Sequence, residues 1–223
     1  DIFFHFFPEA ISAGGNRHLY EVIPEVMPVW PFMDIEHYVY PFFGETEANL
    51  CSRATGIGQG VLDSALELVR AVLRHWVGAV DQASCAQQAT VAVCCGSGPI
   101  NRPAHIVGDP AQAWHYKCSY HVVIKTERAF ASCVHLNTFM QCLQYSMEYA
   151  LTADEDALAQ SLSSREMAAL FKQRVPELRC KHPKTSNALW SIDFCVYKNN
   201  QLFKCLGQSK LNSKRVQQAA PGQ

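Results

Sequence analysis

Acidic, basic and hydroxyl-bearing residues of this chain cluster in three short segments whose spacing suits catalysis. The segments are Asp34-Ile35-Glu36, Lys117-Cys118-Ser119-Tyr120-His121, and a third that begins at Asp193 and continues through Val196-Tyr197, Asn200, Phe203-Lys204 and Ser209-Lys210. Together they offer three carboxylates for divalent metal ions, and hydroxyl, imidazole and ammonium groups for a triphosphate. That combination is the equipment of two-metal nucleotidyl transfer.

The carboxylates of Asp34 and Glu36 are two residues apart, so on a β-strand they point to the same face, about 6.5 to 7 Å apart along the backbone. Two such carboxylates can bracket divalent ions separated by ~3.5 to 4 Å, the distance used for in-line displacement at phosphorus. Their oxygen ligands favour Mg²⁺ or Mn²⁺ over softer metals. Two exposed acids on an edge strand would show the same pattern.

Asp193 occupies an apolar segment, Trp190-Ser191-Ile192-Asp193-Phe194, where an unpaired charge would be costly. A carboxylate in such a place needs a partner, and a shared metal ion is one. We therefore predict that Asp193 converges with Asp34 and Glu36 on one metal site.

Lys117, Ser119 and His121 alternate along their segment, so on a strand they also share a face. An ammonium, a hydroxyl and an imidazole suit the β- and γ-phosphates of a nucleotide, where positioning and charge neutralisation do most of the catalytic work. Lys204 and Lys210 would add phosphate contacts from the other side. The alternatives are a structural strand histidine at position 121 and ordinary surface lysines at positions 204 and 210.

The composition is that of a globular protein: of 223 residues, 48% are hydrophobic and 17% are charged. No apolar run approaches the ~20 residues that cross a bilayer, so we expect no membrane association. The ten cysteines are scattered without a Cys-x-x-Cys pair, which favours reduced core thiols and an intracellular setting, without deciding between nucleus and mitochondrion. Cys180 and His182 could begin a zinc site, but two ligands do not complete one.

The net charge of −1 hides an asymmetry along the chain. Residues 1–50 hold eight acids against one base, Arg17, whereas residues 165–215 hold eleven Lys or Arg against three acids. Two solvated faces would explain this distribution. It also suits a polyanionic substrate, because Lys and Arg contacts to phosphates supply most non-specific nucleic-acid affinity.

The pattern of apolar residues predicts mixed α/β structure without repeats. Strands are expected within 22–39, and at 90–95, 121–125, 189–197 and 202–206, the last two forming a hairpin; turns are expected at 56–60 and 96–99, and helices at 61–80 and within 138–175. Thr152 or Asp154 could cap one of the later helices, and Pro176 lies near a helix end.

Beyond these patterns, the chain resembles a known family. Tyr20-Glu21-Val22-Ile23-Pro24-Glu25, Asp-x-Glu, Lys-x-Ser-x-His, Asp-x-x-Val-Tyr-x-x-Asn-x-x-Phe-Lys and a closing Ser-Lys follow one another in order. This series closely resembles the eukaryotic primase-polymerase proteins of the archaeo-eukaryotic primase superfamily. The resemblance runs from Tyr20 to Arg215, although the stretches 40–115 and 130–188 match only in outline.

The resemblance implies roles for nine residues. The catalytic metal ligands would be Asp34, Glu36 and Asp193; the contacts to the incoming triphosphate would be Lys117, Ser119, His121, Lys204 and Lys210; and Tyr20 would lie near the nucleotide sugar. The implied cofactors are two Mg²⁺ or Mn²⁺ ions, and the implied partners are template-primer DNA and an incoming dNTP, with NTP as a further possibility.

The resemblance also implies a fold, an α/β unit joined to a module resembling an RNA-recognition motif, with the active site in the cleft between them. Residues 1–26 would belong to the N-terminal α/β module and residues 27–223 mainly to the catalytic module, with a helical insertion near 138–185. Lys204 stands where the family usually has Arg, and Gly207 where Lys is common. The family's C-terminal zinc-binding module, associated with starting a primer, is not found in these residues.

We therefore predict a metal-dependent DNA polymerase core that extends a primer on a DNA template, of the damage-tolerant primase-polymerase kind. One alternative is a nucleic-acid-binding module of the same fold with little catalysis. Another is a metal-dependent phosphohydrolase that uses Asp34, Glu36, His121 and Asp193, which would leave the three lysines without a specific role.

Overall fold

The computed structural model of the protein describes most of the chain from Tyr20 to Ala219. The described residues are 20–23, 26–76, 90–101, 114–126, 129–183, 185, 187–197, 201–204 and 218–219. Within them the architecture is α+β, with helices and antiparallel sheets. No helix in these ranges combines the length and apolarity that crossing a lipid bilayer requires.

A central antiparallel sheet organises the fold. Its strands are β2 (Phe32–Val39), β3 (Thr90–Cys95), β4 (Gly98–Asn101), β5 (Trp114–Lys125) and β9 (Gln218–Ala219), and β1 (Tyr20–Ile23) belongs to a separate pair. The order is β2-β5-β3-β9, and β4 also pairs with β5. The turn expected at residues 96–99 is therefore wrong from Gly98 onward, where β4 begins.

Strand β2 alternates between two environments, as a strand with one covered face should. Met33, Ile35 and Val39 are buried in the core, while Asp34 and Glu36 on the opposite face are only partly buried. The predicted strand within 22–39 is thus confirmed at Phe32–Val39. The alternation therefore places the apolar core residues on one face of β2 and the two candidate metal ligands on the other.

Helix α1 (Glu47–Trp76) packs on the covered face of the sheet and begins well before the predicted start at residue 61. The predicted glycine turn at 56–60 is wrong, because all three glycines lie inside this helix. A Cβ on Gly58 would lie 2.6 Å from the Tyr120 hydroxyl oxygen and 2.8 Å from the Cys118 Sγ atom. The close approach of the helix to β5 therefore requires glycine at this position, whatever its low helix propensity.

Three shorter helices complete the core: α2 (Cys133–Thr152), α3 (Glu155–Leu162) and α4 (Arg165–Arg174). Each begins at a side-chain cap, Ser132, Asp154 and Ser164 respectively, which confirms Asp154 as one of the predicted caps. A 3₁₀ turn, Val175–Leu178, follows at the predicted stop. The helical segment expected at 138–185 thus spans Cys133–Leu178, and a short hairpin of β6 (Arg179–Lys181) and β7 (Ala188–Trp190) follows it.

The predicted strand at 189–197 is confirmed only at Leu189–Trp190, within β7, and its predicted hairpin with residues 202–206 is wrong. After β7 the chain makes one isolated bridge at Ile192 and then a 3₁₀ turn, Phe194–Val196. Strand β8 (Gln201–Lys204) pairs instead with β1, in an antiparallel register that sets Tyr20 opposite Lys204. The Asp193 carboxylate accepts the Cys195 amide hydrogen at 2.8 Å, and this local bond ends the extended chain.

Candidate functional site

The pairing of β2 with β5 brings the first two predicted motifs onto one face of the sheet. The antiparallel register sets Asp34 opposite His121 and Glu36 opposite Ser119. Because side chains alternate along a strand, Lys117 projects to that same face, whereas Cys118 projects towards α1. Five of the nine predicted site residues therefore share one surface, the face of the sheet opposite α1.

The two carboxylates on this face both have basic side chains as neighbours. The His121 Nε2 atom lies 3.4 Å from the Asp34 Oδ1 atom. Lys117 forms an ion pair with Glu36, whose second carboxylate oxygen accepts the Tyr38 hydroxyl hydrogen at 3.1 Å. The side chains of Lys117 and His121 are only 10% and 8% exposed, so these interactions operate in partial shelter from solvent, where screening is weaker than at an open surface.

Asp193 lies in a segment that pairs with the edge of β2 opposite β5. The Glu36 amide donates to the Ser191 carbonyl at 2.7 Å, and the Asp193 amide donates to the Asp34 carbonyl at 2.8 Å. These bonds flank the bridge between Ile35 and Ile192. Asp193 therefore lies directly opposite Asp34, where Cβ atoms are typically about 4.5 to 5.5 Å apart.

The Tyr197 phenol is close enough to both Asp34 and Asp193 for their charges to affect its pKa. Its hydroxyl group is buried and donates to the Phe32 carbonyl at 2.7 Å. Burial raises the pKa of the Tyr197 phenol well above its ordinary value, and the negative charges of Asp34 and Asp193 raise it further. The phenol therefore stays protonated and continues to donate its hydrogen bond.

A buried polar contact fastens the Ser191–Asp193 segment to β2. The His37 Nδ1 atom and the Ser191 Oγ atom are 2.8 Å apart, and the Ser191 amide donates to the Leu178 carbonyl at 2.8 Å. Burial lowers the pKa of His37. Neither residue was among the predicted site residues, although a histidine two positions after Ile35, in the apolar stripe of β2, was the available signal.

Three predicted site residues remain, Tyr20, Lys204 and Lys210. The backbone register of β1 and β8, which lie outside the central sheet, places Tyr20 opposite Lys204, and Lys210 lies outside the described residues. The two residues considered for zinc make other contacts: the Cys180 thiol is directed to the Glu36 carbonyl at 4.0 Å, and the His182 ring accepts the Thr185 amide hydrogen at 3.3 Å.

The geometry brings two of the three predicted metal ligands next to each other. Among the described residues, no group of three or more His, Cys, Asp or Glu side chains is arranged to hold a metal ion. Asp34 and Asp193 are adjacent, but Glu36 is held by Lys117 and Tyr38. The donor set is nevertheless all carboxylate, which is the chemistry that Mg²⁺ and Mn²⁺ prefer.

No protein-family model matches this chain, and a search of curated proteins found no significant match.

Proposed function

We propose that this chain is the catalytic core of a metal-dependent nucleotidyltransferase that extends a primer on a DNA template, with the fold of the archaeo-eukaryotic primases. One observation carries the proposal: Asp34 lies between His121 and Asp193 on three neighbouring extended segments. Carboxylates beside an imidazole, a hydroxyl and an ammonium group are what transfer of a nucleotidyl group needs.

Asp34, Asp193 and Glu36 are the residues that would hold Mg²⁺ or Mn²⁺. Their oxygen donors fit these ions, and neighbouring like charges on adjacent strands are a cost that a bound cation would offset. When bound, two such ions supply a polarised phosphoryl group and a more acidic primer hydroxyl.

The basic and hydroxyl groups of β5 would bind the incoming triphosphate. Lys117, Ser119 and His121 occupy alternate positions beside the carboxylates, so phosphates bound to them would lie next to the metal ligands. From the family resemblance we also assign Lys204 and Lys210 to the phosphates and Tyr20 to the sugar. The pairing of β1 with β8 supports a shared location for Tyr20 and Lys204.

The second candidate is a nucleic-acid-binding module of the same fold. The observation that favours it is the ion pair of Glu36 with Lys117, because it offsets a carboxylate charge without a metal ion; Asp34 likewise has the His121 ring as a neighbour. In either case we propose an intracellular protein of nucleic-acid metabolism, of the damage-tolerance kind in the case of the polymerase.

Primer extension separates these candidates. The wild-type chain is incubated with a labelled primer-template, Mg²⁺ or Mn²⁺, and separate pools of dNTP and NTP. We expect extension by the wild type, and loss of at least about a hundredfold in Asp34→Asn, since metal-site electrostatics typically supply several kcal/mol.

Asp156→Asn is the matched control, because that carboxylate is 82% exposed and forms a surface ion pair with Arg165 of α4. Full extension by Asp34→Asn would overturn the assignment. DNA binding without extension in the wild type would favour the binding module, and phosphate release without extension would favour a phosphohydrolase.

A further inference from the structure

A second surface continues from the candidate site along β2. The strand ends at Val39, and Tyr40 then leads into a tight turn with Phe42 and Phe43. Phe42 is 68% exposed and Phe43 is fully exposed. Two adjacent exposed aromatic rings form an apolar patch, and such patches are typical of interaction sites.

Hydrogen bonds hold this turn in the conformation that exposes the two phenylalanine rings. The Phe42 amide donates to the Glu45 carboxylate at 2.9 Å, and the Glu45 amide donates back to the Phe42 carbonyl at 3.0 Å. Gly44 supplies the left-handed backbone, with φ of 75°. Arg53 on α1 then donates to Glu45 at 2.9 and 2.7 Å and to the Tyr40 carbonyl at 2.7 Å. The rings are thus presented by a pre-organised turn.

Cations accompany the aromatic rings. The Arg53 guanidinium carbon lies 4.0 Å from the Phe42 ring centroid, and that of Arg179 lies 4.4 Å from the ring centroid of Trp190. The Tyr40 hydroxyl donates to the Lys181 carbonyl at 3.1 Å, which holds β6 beside the end of β2. Tyr40 thus joins the two parts of this surface, the turn with Phe42 and Phe43 on one side and strand β6 on the other.

The charge of this surface is positive on the β6 side. Glu45 is already engaged by Arg53. Residues 178–192, by contrast, carry three bases and no acid. Arg179 and Lys181 are two residues apart on a strand and therefore project to the same side.

We infer that this surface, defined by Tyr40, Phe42, Phe43, Arg53, Arg179 and Lys181, binds single-stranded DNA. Aromatic rings on which bases stack, combined with cations that follow the phosphates, are how proteins bind single strands without sequence preference. Naming that strand as the template rests on the proposed function. Tyr40 lies six residues from Asp34, or ~20 Å along an extended chain, about six base steps at ~3.4 Å each.

The test measures binding alone. Anisotropy of a fluorescein-labelled oligodeoxythymidylate is titrated with the full chain in EDTA, without nucleotide, so the result does not depend on catalysis. We expect Phe42→Ala/Phe43→Ala to weaken binding at least about tenfold, given ~1 to 3 kcal/mol per stacked base. Arg179→Gln/Lys181→Gln should lower the slope of log affinity against log salt by about 1.4, at ~0.7 per lost phosphate contact.

Matched controls lie on the helices. Tyr145→Ala removes a ring that is 69% exposed, and Arg165→Gln removes a charge whose side chain is 82% exposed. Affinity unchanged in both surface variants, or lowered equally by the controls, would overturn the inference. A change of oligomeric state in Phe42→Ala/Phe43→Ala, with DNA affinity intact, would assign the rings to self-association instead.

The proposed DNA-binding surface and the proposed nucleotidyl-transfer site can be disproved independently of each other. If Asp34→Asn retains DNA binding while the surface variants lose it, the surface is upheld whether or not the wild type extends primers. If the wild type extends primers but the surface variants bind single strands normally, the surface assignment falls and the nucleotidyl-transfer site stands.

Discussion

The Asp193 amide donates to the Asp34 carbonyl at 2.8 Å, so two acids from distant parts of the chain face each other across neighbouring segments. Directly opposed like charges destabilise a sheet. Part of this cost is offset locally, because His121 lies beside Asp34 and the Cys195 amide donates to Asp193. Such a concentration of charge, stored at the cost of stability, is typical of functional sites.

Replacing Asp193 in two ways separates its charge from its hydrogen bond. Asp193→Asn keeps an oxygen that can accept the Cys195 amide hydrogen but removes the repulsion with Asp34. We expect its melting temperature to equal or exceed that of the wild type. Asp193→Ala loses the acceptor as well, and should be less stable than Asp193→Asn by about 1 kcal/mol.

Chemical denaturation measures both free energies of unfolding, and primer extension is read in parallel. Both variants should lose activity if the carboxylate is a metal ligand. An Asp193→Asn protein that is active, or markedly less stable than the wild type, would contradict this reading of the site.

Lys117 should weaken the binding of metal ions and strengthen the binding of nucleotides. It holds Glu36 in an ion pair, so Lys117→Ala frees a carboxylate while removing a phosphate contact. We expect Mn²⁺ to bind Lys117→Ala more tightly and to raise its melting temperature further than that of the wild type. The apparent affinity for dNTP should fall by about tenfold, since a charge-assisted contact contributes ~1.5 to 3 kcal/mol.

Thermal shift with Mn²⁺ and steady-state extension at varied dNTP provide the two measurements. Lys172→Ala is a control for loss of a part-buried lysine elsewhere, because Lys172 donates to the carbonyl of Ala150 at the end of α2. If Mn²⁺ and dNTP affinities change in the same direction in Lys117→Ala, the lysine does not have this double role.

Ser191 should position Asp193 through its contact with His37. Ser191→Ala leaves a buried imidazole nitrogen without its hydroxyl partner, which costs about 1 to 3 kcal/mol. Because the same segment carries Asp193, we also expect weaker Mn²⁺ binding, a readout that simple destabilisation would not change below the melting range. Ser161→Ala, on the exposed side of α3, should alter neither quantity. Restoration of Mn²⁺ affinity by Ser191→Thr would support a positioning role, and unaltered Mn²⁺ affinity in Ser191→Ala would exclude it.

Two glycines of α1 should respond in opposite directions to the same substitution. Gly58→Ala places a Cβ within 2.6 Å of the Tyr120 hydroxyl oxygen and should cost about 1 to 3 kcal/mol. Gly60 has nothing within 4 Å of its ideal Cβ position, so Gly60→Ala should gain about 0.5 to 1 kcal/mol from helix propensity. Urea denaturation of both variants decides the point, and a stabilising Gly58→Ala would show that α1 does not approach β5 so closely.

The site was predictable from sequence where local periodicity decides the structure. Alternation in Asp34-Ile35-Glu36 and in Lys117 to His121 correctly assigned each set to one face of its strand. Nothing local specified that the two strands pair, or in which register. Burial and cross-strand contact, which determine register, are properties of the folded molecule.

The errors have a common physical cause, since in each a tertiary contact overrides a local preference. Gly58 lies within a helix because β5 packs against it, and β8 pairs with β1 although Leu189 to Trp190 is nearer in sequence. Asp193 ends its extended segment by accepting the Cys195 amide hydrogen, a choice that apolar neighbours do not reveal.

The cysteines offer a last test of how α1 covers the sheet. Cys118 is fully buried, its thiol donates to the Ala54 carbonyl at 3.3 Å, and burial raises its pKa to about 12. At pH 8 roughly one Cys118 thiol in ten thousand would be ionised, and only the thiolate reacts with iodoacetamide. Cys142 and Cys195 are exposed. We therefore expect mass spectrometry of the native protein to find these two alkylated first among the cysteines that the structure describes, and Cys118 protected by at least about a thousandfold.

Cys142→Ser and unfolded protein in urea provide the controls, the first to assign the labelled peptide and the second to show that Cys118 reacts once exposed. Gly58→Ala should accelerate labelling of Cys118, because the Cβ would lie 2.8 Å from its sulfur and force the helix away from β5. Native Cys118 that reacts as fast as Cys142 would mean that α1 does not cover this face of the sheet. The opposite face, with Asp34 and His121, would then lose the scaffold that positions it.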